Sequence, residues 1–374
     1  MKHLCALLLA ALLSAGLTVS ALAAEAPETS AAAYVLMDDA SGRVLASKDP
    51  EEPRLIASTT KVLTALLALE ALDLDEEVVI DPAWTGIEGS TMYLAPGQTL
   101  TVRELLYGLL LASGNDAATA LACLVSGSVE AFAERMNERA AALGCGTAHF
   151  ENPSGLDGEA HHASALDLAK ILREAIRNDE FVRLVSTQSV TVGDHTFVNH
   201  NRLLRECEGV FGGKTGYTEA AGRTLVSCCE RGGVTILCVT LSDPDDWQDH
   251  AALYDWAYGE YSLAETAARS SFGEIPVIGG EKPAVGVVST EALSVLRREG
   301  ESVSIALCLP RFVYADVRQG DRIGTASVFV DGVLADEAPL VFSDSVSRTP
   351  EIRPGFRSVL NGILSFERNV YILS

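Results

Sequence analysis

Apolar and polar positions along the chain switch repeatedly between strand-like and helical spacing. Tyr34-Val35-Leu36-Met37 and Arg43-Val44-Leu45-Ala46 flank the turn-forming stretch Asp38 to Gly42, which is a hairpin pattern. Apolar residues at Val62, Leu63, Leu66, Leu67 and Leu69 then recur at helical spacing, so a helix is predicted to open at Ser58, its N-cap, and to end near Asp73. Val78-Val79-Ile80 reads as a short strand and Pro82 to Gly97 as loop. Thr101-Val102-Arg103-Glu104 is a capping box opening a helix through Leu105, Leu106, Leu109 and Leu110, and Asn115 or Asp116 can cap the next one. Glu130 to Leu143 is amphipathic and stopped by Gly144, and Ser164-Ala165-Leu166-Asp167 starts a further helix. Gly193-Asp194 between two β-like runs marks a second hairpin. Gly212 to Gly216 is predicted to begin an edge strand bordering a cleft. Leu225 to Cys228 and Thr235 to Thr240 continue an antiparallel sheet, and Trp247 to Tyr258 closes the unit as a helix.

The pattern changes near Ser270. Short β-like runs follow, at Ala284 to Val288, Val303 to Leu309, Arg311 to Val317 and Thr325 to Val330, with an Asp331-Gly332 turn and a last strand at Leu340-Val341-Phe342. This is the signature of a small antiparallel β domain, placed at residues 271–348 after a first domain at 24–270. Beyond it, in the tail from 349 to 374, Phe356, Val359, Leu360, Ile363, Leu364 and Phe366 have roughly helical spacing with Arg353, Arg357 and Arg368 nearby. Two placements fit that stripe: an amphipathic helix on a membrane surface, or a helix docked on the protein, since Gly355, Asn361 and Gly362 weaken it.

The other end carries a different signal. Lys2 and His3 precede an apolar run from Leu4 to Leu13, and Ala21-Leu22-Ala23 offers a small-x-small cleavage site, so residues 1–23 read as a signal peptide. The alternative, an uncleaved anchor, is weakened by Ser14, Gly16, Thr18 and Ser20. The protein is therefore expected to be exported, to the outer face of the cytoplasmic membrane, the periplasm or the cell wall. With 374 residues and a formal net charge of −23, nucleic acid is excluded as a partner. Beyond Cys5, the seven cysteines at 123, 145, 207, 228, 229, 238 and 308 are scattered without Cys-x-x-Cys spacing, which suggests buried thiols, with room for one disulfide. His161 and His162 lack further ligands at metal spacing, so no metal and no cofactor is expected.

Candidate chemistry begins at Ser58-Thr59-Thr60-Lys61, where one helical turn stacks the lysine beside the serine hydroxyl. Lysine can take the serine proton only if burial or a second cation lowers its ammonium pKa. Free backbone N–H groups at the helix start can steady a developing oxyanion. Taken alone, the tetrapeptide is better explained by a surface helix with an N-cap serine and a solvated lysine. Ser113-Gly114-Asn115, taken alone, is an interhelical turn. The three motifs Ser58-x-x-Lys61, Ser113-x-Asn115 and Lys214-Thr215-Gly216, in that order, are far more specific.

Together with Ile56-Ala57, Asn152-Pro153-Ser154-Gly155-Leu156, Asn199-x-Asn201-x-Leu203-Leu204 and Gly222-Arg223, these motifs resemble the low-molecular-mass penicillin-binding proteins that are serine-type D-alanyl-D-alanine carboxypeptidases. The resemblance implies an α+β fold: a penicillin-binding or β-lactamase-like domain, with an antiparallel sheet flanked by helices plus a helical subdomain, followed by a small all-β domain. It implies acyl transfer on a peptidoglycan stem peptide, with β-lactam antibiotics as covalent inhibitors. Ser58 would be the nucleophile, Lys61 its base and Ser113 the proton relay, while Asn115, Lys214, Thr215, Gly216 and Tyr217 would bind substrate. Family geometry further implies an oxyanion hole from the N–H groups of Ser58 and Tyr217. Two rivals stay in view. A class A β-lactamase would need a Glu-x-x-Leu-Asn element, and the stretch Glu151 to Glu159 has none. A non-catalytic wall-binding module would not need every motif side chain intact.

Overall fold

The computed structural model describes residues 25–266, 268–349 and 369–371. The signal-peptide expectation for 1–23 and the amphipathic-helix expectation for the tail at 356–366 both lie outside the described residues.

A five-stranded antiparallel sheet organises the first unit. Its strands are β1 (Ala33–Asp38), β2 (Val44–Lys48), β7 (Val210–Thr218), β8 (Gly222–Arg231) and β9 (Val234–Leu241), in the order β2-β1-β9-β8-β7. Side chains alternate between the two faces, and each face is covered. Val35, Met37, Val226, Cys228, Leu237 and Val239 pack into the large core shared with the helices α1 (Lys61–Ala71) and α5 (Ala165–Ala175). Tyr34, Leu36, Leu225, Cys229, Ile236 and Cys238 form the opposite layer against Leu253, Tyr254 and Ala257 of α8 (Asp246–Glu260). The same alternation separates Cys228 from Cys238, which belong to opposite faces; all seven described cysteines are free thiols.

The remaining helices α2 (Val102–Leu110), α3 (Asn115–Ser126), α4 (Val129–Ala142) and α6 (Asp179–Ser186) pack with α1 into the helical subdomain, followed by the single turn α7 (Leu203–Glu206). Predicted caps form as expected: Thr101 with Glu104 at α2, and Ser164 with Asp167 at α5, are both complete capping boxes. Two small ribbons complete the unit, β3 (Glu77–Val79) with β4 (Thr99–Thr101), and the hairpin β5 (Ser189–Val192) with β6 (His195–Val198).

The second unit is all β. It pairs β10 (Tyr261–Glu265) with β13 (Ser294–Arg298), beside a sheet ordered β15-β11-β12-β17-β16-β14-β18. Those strands are β11 (Ser271–Ile278), β12 (Ala284–Ser289), β14 (Val303–Cys308), β15 (Val313–Tyr314), β16 (Arg322–Val330), β17 (Val333–Phe342) and the backbone segment β18 (Asn369–Tyr371). The strand predicted over Arg311 to Val317 shrinks to two residues, whereas the one predicted at Leu340 to Phe342 extends back to Val333. Arg43 ties the units together, donating to Glu301 at 2.8 Å and to the Leu296 carbonyl at 2.6 Å.

Candidate active site

Ser58 does not cap the first helix. It lies inside a 3-10 turn, Ala57–Thr60, that precedes α1, and Thr60 occupies the N-cap position without a side-chain bond to the helix N–H groups. The turn forms because the chain bends sharply at Ala57, whose φ is +46°, and because the Ile56 carbonyl accepts from both the backbone N–H and the hydroxyl of Thr59, at 3.3 and 2.6 Å. Thr224 of β8 donates to the same carbonyl at 3.0 Å, so the sheet itself holds the turn. Ser58 is left partly exposed on a buried base, with its neighbours Ala57, Thr59 and Thr60 buried.

The three-residue spacing still brings the lysine back over the serine. Lys61 Nζ lies 2.8 Å from Ser58 Oγ, 2.7 Å from Asn115 Oδ1 and 2.6 Å from the Ser154 carbonyl. Lys61 is completely buried, and burial, reinforced by the charge of Lys214, holds its pKa well below the usual lysine value; the Asp116 charge acts the other way. Lys214, on β7, is itself buried, and its pKa is lowered by that burial to about 7. Its amine donates to the Thr215 carbonyl at 2.8 Å. Burial and the Lys214 charge together thus oppose protonation of Lys61, which is the condition for a lysine base.

The third edge comes from the loop between α2 and α3. Ser113 adopts the left-handed region at φ +60°, uncommon for a residue with a side chain, and lines a cleft of about 320 Å³ together with Ser58, Thr215, Gly216, Tyr217, His200 and Arg223. β7 forms the edge of the sheet, as its position beside a cleft requires. The expectation that Asn115 or Asp116 caps α3 gives way to Gly114 at that position, because both side chains are engaged elsewhere. Asn115 Oδ1 faces Lys61 and its amide donates to the Glu88 carbonyl at 2.6 Å. Asp116 accepts from the N–H groups of Met92, Leu94 and Ala117 and from the Thr91 hydroxyl, fixing the loop above the cleft.

Several residues named in the sequence only within motifs, without a role at the site, turn out to support it. Asn152 Oδ1 accepts from Ser154 N, Ser154 Oγ and Gly155 N, which turns the Ser154 carbonyl toward Lys61. Gly155, at φ +84°, packs so tightly on the nucleophile's turn that a Cβ there would meet the Ala57 carbonyl oxygen at 1.9 Å. His161 is buried between Thr60, 2.8 Å from its Nε2, and the Glu151 N–H, 3.1 Å from its Nδ1; burial lowers its pKa to about 4. It is a structural histidine. Among the described residues no cluster of His, Cys, Asp or Glu could hold a metal ion. Arg223, noticed in sequence only as part of Gly222-Arg223, pairs with buried Asp246 through both its Nε and Nη2 at 2.7–3.1 Å and stacks over Trp247.

The sequence matches the family described as D-alanyl-D-alanine carboxypeptidase over residues 20–245, more than half of the chain. The chain belongs to that family. A second match, described as the C-terminal domain of penicillin-binding protein 5, spans residues 265–348, over the all-β unit. Among curated carboxypeptidases, DacF of Bacillus subtilis is 30% identical over 331 residues, covering 84% of this chain and 85% of its own. DacC of Escherichia coli is 32% identical over 344 residues, covering 86% of each. The solved structure of penicillin binding protein 5 from Haemophilus influenzae superposes with a TM-score of 0.73 at 27% identity, covering 87% of this chain and all of that one. The α+β fold expected from the carboxypeptidase motifs, with its trailing β domain, is the fold found.

Proposed function

We propose that this serine-type carboxypeptidase removes the terminal D-alanine from peptidoglycan stem pentapeptides through an ester on Ser58. The supporting observation is the 2.8 Å approach of a buried, pKa-depressed lysine amine to a partly exposed serine hydroxyl. In the first step Lys61 takes the Ser58 proton as Oγ bonds to the carbonyl carbon between the two D-alanines. Negative charge developing on the carbonyl oxygen is met by the N–H groups of Ser58 and Tyr217, about 3–4 kcal/mol per donor. Gly216 lets the substrate backbone lie flat against β7, and the Thr215 hydroxyl and Lys214 amine draw the terminal carboxylate. Ser113 relays the proton to the departing amine. Asn115 orients Lys61 through Oδ1, and the second hydrogen of its amide is suited to the substrate's backbone. Water then releases the shortened peptide and restores the serine.

The same attack on a β-lactam ring gives a long-lived ester and accounts for penicillin sensitivity. Cleavage of residues 1–23 would deliver the enzyme outside the cytoplasm, and the stripe at 356–366 would hold it near the membrane surface. Fractionation of a chain truncated before Pro354 tests that attachment: an unchanged split between membrane and soluble pools would rule it out. The decisive experiment on the chemistry is D-alanine release from a pentapeptide, combined with labelled penicillin. One label per wild-type molecule and none on Ser58→Ala is expected, and label retained by the variant would exclude Ser58.

A further inference from the structure

The all-β unit holds a cavity of its own. It measures about 230 Å³ and shares no lining residue with the catalytic cleft. Its walls come from the turn before β11, the end of β12, the loop joining β15 to β16 and the end of β17. Backbone bonds tie these ends in place. Ser289 N donates to the Ser270 carbonyl and Thr290 N to the Pro339 carbonyl, both at 3.1 Å, and Gln319 N donates to the Ser345 hydroxyl at 2.9 Å. The volume lies below the ~300–1,000 Å³ typical of pockets for drug-sized ligands, so the occupant is one small group or the tip of a longer chain.

Two polar side chains of this wall lack partners. Ser289 is completely buried, and its Oγ has no hydrogen-bond partner among the described residues. A buried hydroxyl in that state is met in a folded protein by a water or a ligand. Arg269 is exposed, sits at φ +62°, and its guanidinium has no ion-pair or hydrogen-bond partner among the described residues. The chain has 51 acidic residues against 28 basic ones, yet none of the residues lining this cavity is a carboxylate. Asp344, which accepts from the Ser343 hydroxyl at 3.1 Å, is exposed and outside the lining. Gln319 Nε2 donates one hydrogen to the Ser343 carbonyl at 2.9 Å, which leaves its other hydrogen for a ligand. The remaining wall is apolar: Val288 and Val341, paired across β12 and β17, with Phe342 beside them.

From this lining we infer that the β domain carries a second binding site, for a carboxylate with a methyl-sized side chain next to it. The Arg269 guanidinium takes both carboxylate oxygens, Ser289 Oγ and the Gln319 amide meet the lone pairs left over, and the methyl rests on Val288 and Val341. Phosphate shares the oxyanion chemistry but leaves the two valines uncovered. The substrate and both products of the reaction proposed at Ser58 carry such a group, as a stem peptide ending in alanine or as free alanine. That choice of ligand rests on the Ser58 reading, whereas the site itself does not. Free alanine also carries an ammonium, which an unpaired guanidinium repels, while the last residue of a stem has a neutral amide there. The occupant is therefore the alanine terminus of a stem peptide, with the rest of the chain running out past Arg269. Held this way, the wall polymer stays on the enzyme while the catalytic cleft is free for another strand.

Penicillin separates the two sites, since its ester fills the catalytic cleft and leaves the β domain open. Saturation-transfer NMR on the blocked protein uses a stem tetrapeptide ending in D-alanine, free D-alanine, and inorganic phosphate as competitor. The terminal methyl of the tetrapeptide is expected to receive saturation, and free D-alanine to bind more weakly. Arg269→Glu should raise the tetrapeptide Kd at least tenfold, with one penicillin label per molecule showing that the variant is folded. Ser289→Ala should raise Kd several-fold without lowering the melting temperature, because it deletes a hydroxyl that has no partner in the free protein. A serine with a structural role gives the reverse: a lower melting temperature and an unchanged Kd. That result, an unchanged Kd in Arg269→Glu, or no saturation on labelled wild type would overturn the site. Tighter binding of free D-alanine, or displacement by phosphate below the tetrapeptide's own Kd, would overturn the stem terminus as its occupant. Wild type that takes no penicillin label would remove the Ser58 reading, and the same titration on the unblocked chain would still decide the cavity.

Discussion

A Cβ placed on Gly216 would lie 2.9 Å from the backbone nitrogen of Ser58 and 2.4 Å from the Thr224 hydroxyl. The edge strand and the nucleophile's turn are therefore in direct contact, and the N–H assigned to the oxyanion hole sits at the point of contact. Gly216→Ala has to push β7 away from the turn by a few tenths of an ångström or more. Acylation by penicillin should slow by about 10²-fold, since displacements near 1 Å cost that much in a positioned site. Stopped-flow acylation of Gly216→Ala, with its melting curve recorded alongside, checks this; a near-normal rate in a folded variant would refute it.

The two buried amines give a pH dependence with a definite sign. Lys61 works as a base once deprotonated, so kcat/KM rises with pH along an acid limb placed well below the ordinary lysine range. Lys214 binds a carboxylate while protonated, and with its pKa lowered to about 7 it sets a falling limb above neutrality. Replacing Lys214 by Met removes the cation that depresses Lys61. The acid limb should then move to higher pH and the limb near 7 should vanish. A pH–rate profile in Lys214→Met with both limbs in place would show that the amines do not communicate.

How much of this was legible beforehand depends on the length of the signal. The three motifs carry their own chemistry and spacing, and the capping boxes at Thr101 and Ser164 are complete within four residues. Helix α6 was missed because Asp179 to Ser186 is only eight residues long, and its caps come from Asn178, whose side chain accepts from the N–H groups of Glu180 and Phe181. Strands β10 and β13 were missed because they pair with each other across a long sequence separation, and eight of their ten positions are exposed or half-buried. Ser58 was misplaced as an N-cap since the sequence shows the polar residue before an apolar run, but not the Thr224 bond that winds the turn into a 3-10 helix. Asp116 acts through the backbone of a distant loop, at Met92 and Leu94, and no local pattern records that; Asn152 bonds within its own loop, but the sequence does not show that the Ser154 carbonyl it turns meets Lys61.

Asn152 should matter more than its distance from the nucleophile suggests. Its Oδ1 accepts three hydrogen bonds from Ser154 and Gly155, and its amide donates to Leu156 at 2.9 Å. Asn152→Ala leaves those groups unpaired in a part-buried loop, at about 1–3 kcal/mol for each buried group left without a partner. It also frees the Ser154 carbonyl that fixes Lys61. Expected outcomes are a lower melting temperature and an acylation rate down about tenfold. Asn152→Asp, which keeps the acceptor oxygen, should recover most of the rate. Equal losses in the two variants would show that the loop acts by packing alone.

Asp116 allows a test in the opposite direction from Lys214. Its negative charge is the influence that raises the Lys61 pKa, against burial and the neighbouring cation. Asp116→Asn keeps the volume but removes that charge, so the acid limb of the pH–rate profile should shift to lower pH, where Lys214→Met shifts it higher. The substitution has a structural cost as well. Both carboxylate oxygens accept N–H bonds, Oδ1 from Met92 and Ala117 and Oδ2 from Leu94, so one of them must become an NH₂ facing a donor. A destabilisation of about 2 kcal/mol follows from a lost charge-assisted bond and an unpaired N–H. The loop carrying Tyr93 should loosen with it, so hydrogen exchange at Met92 and Leu94 should quicken. Faster exchange with an unmoved acid limb would assign Asp116 to the loop alone and remove it from the electrostatics of the lysine pair.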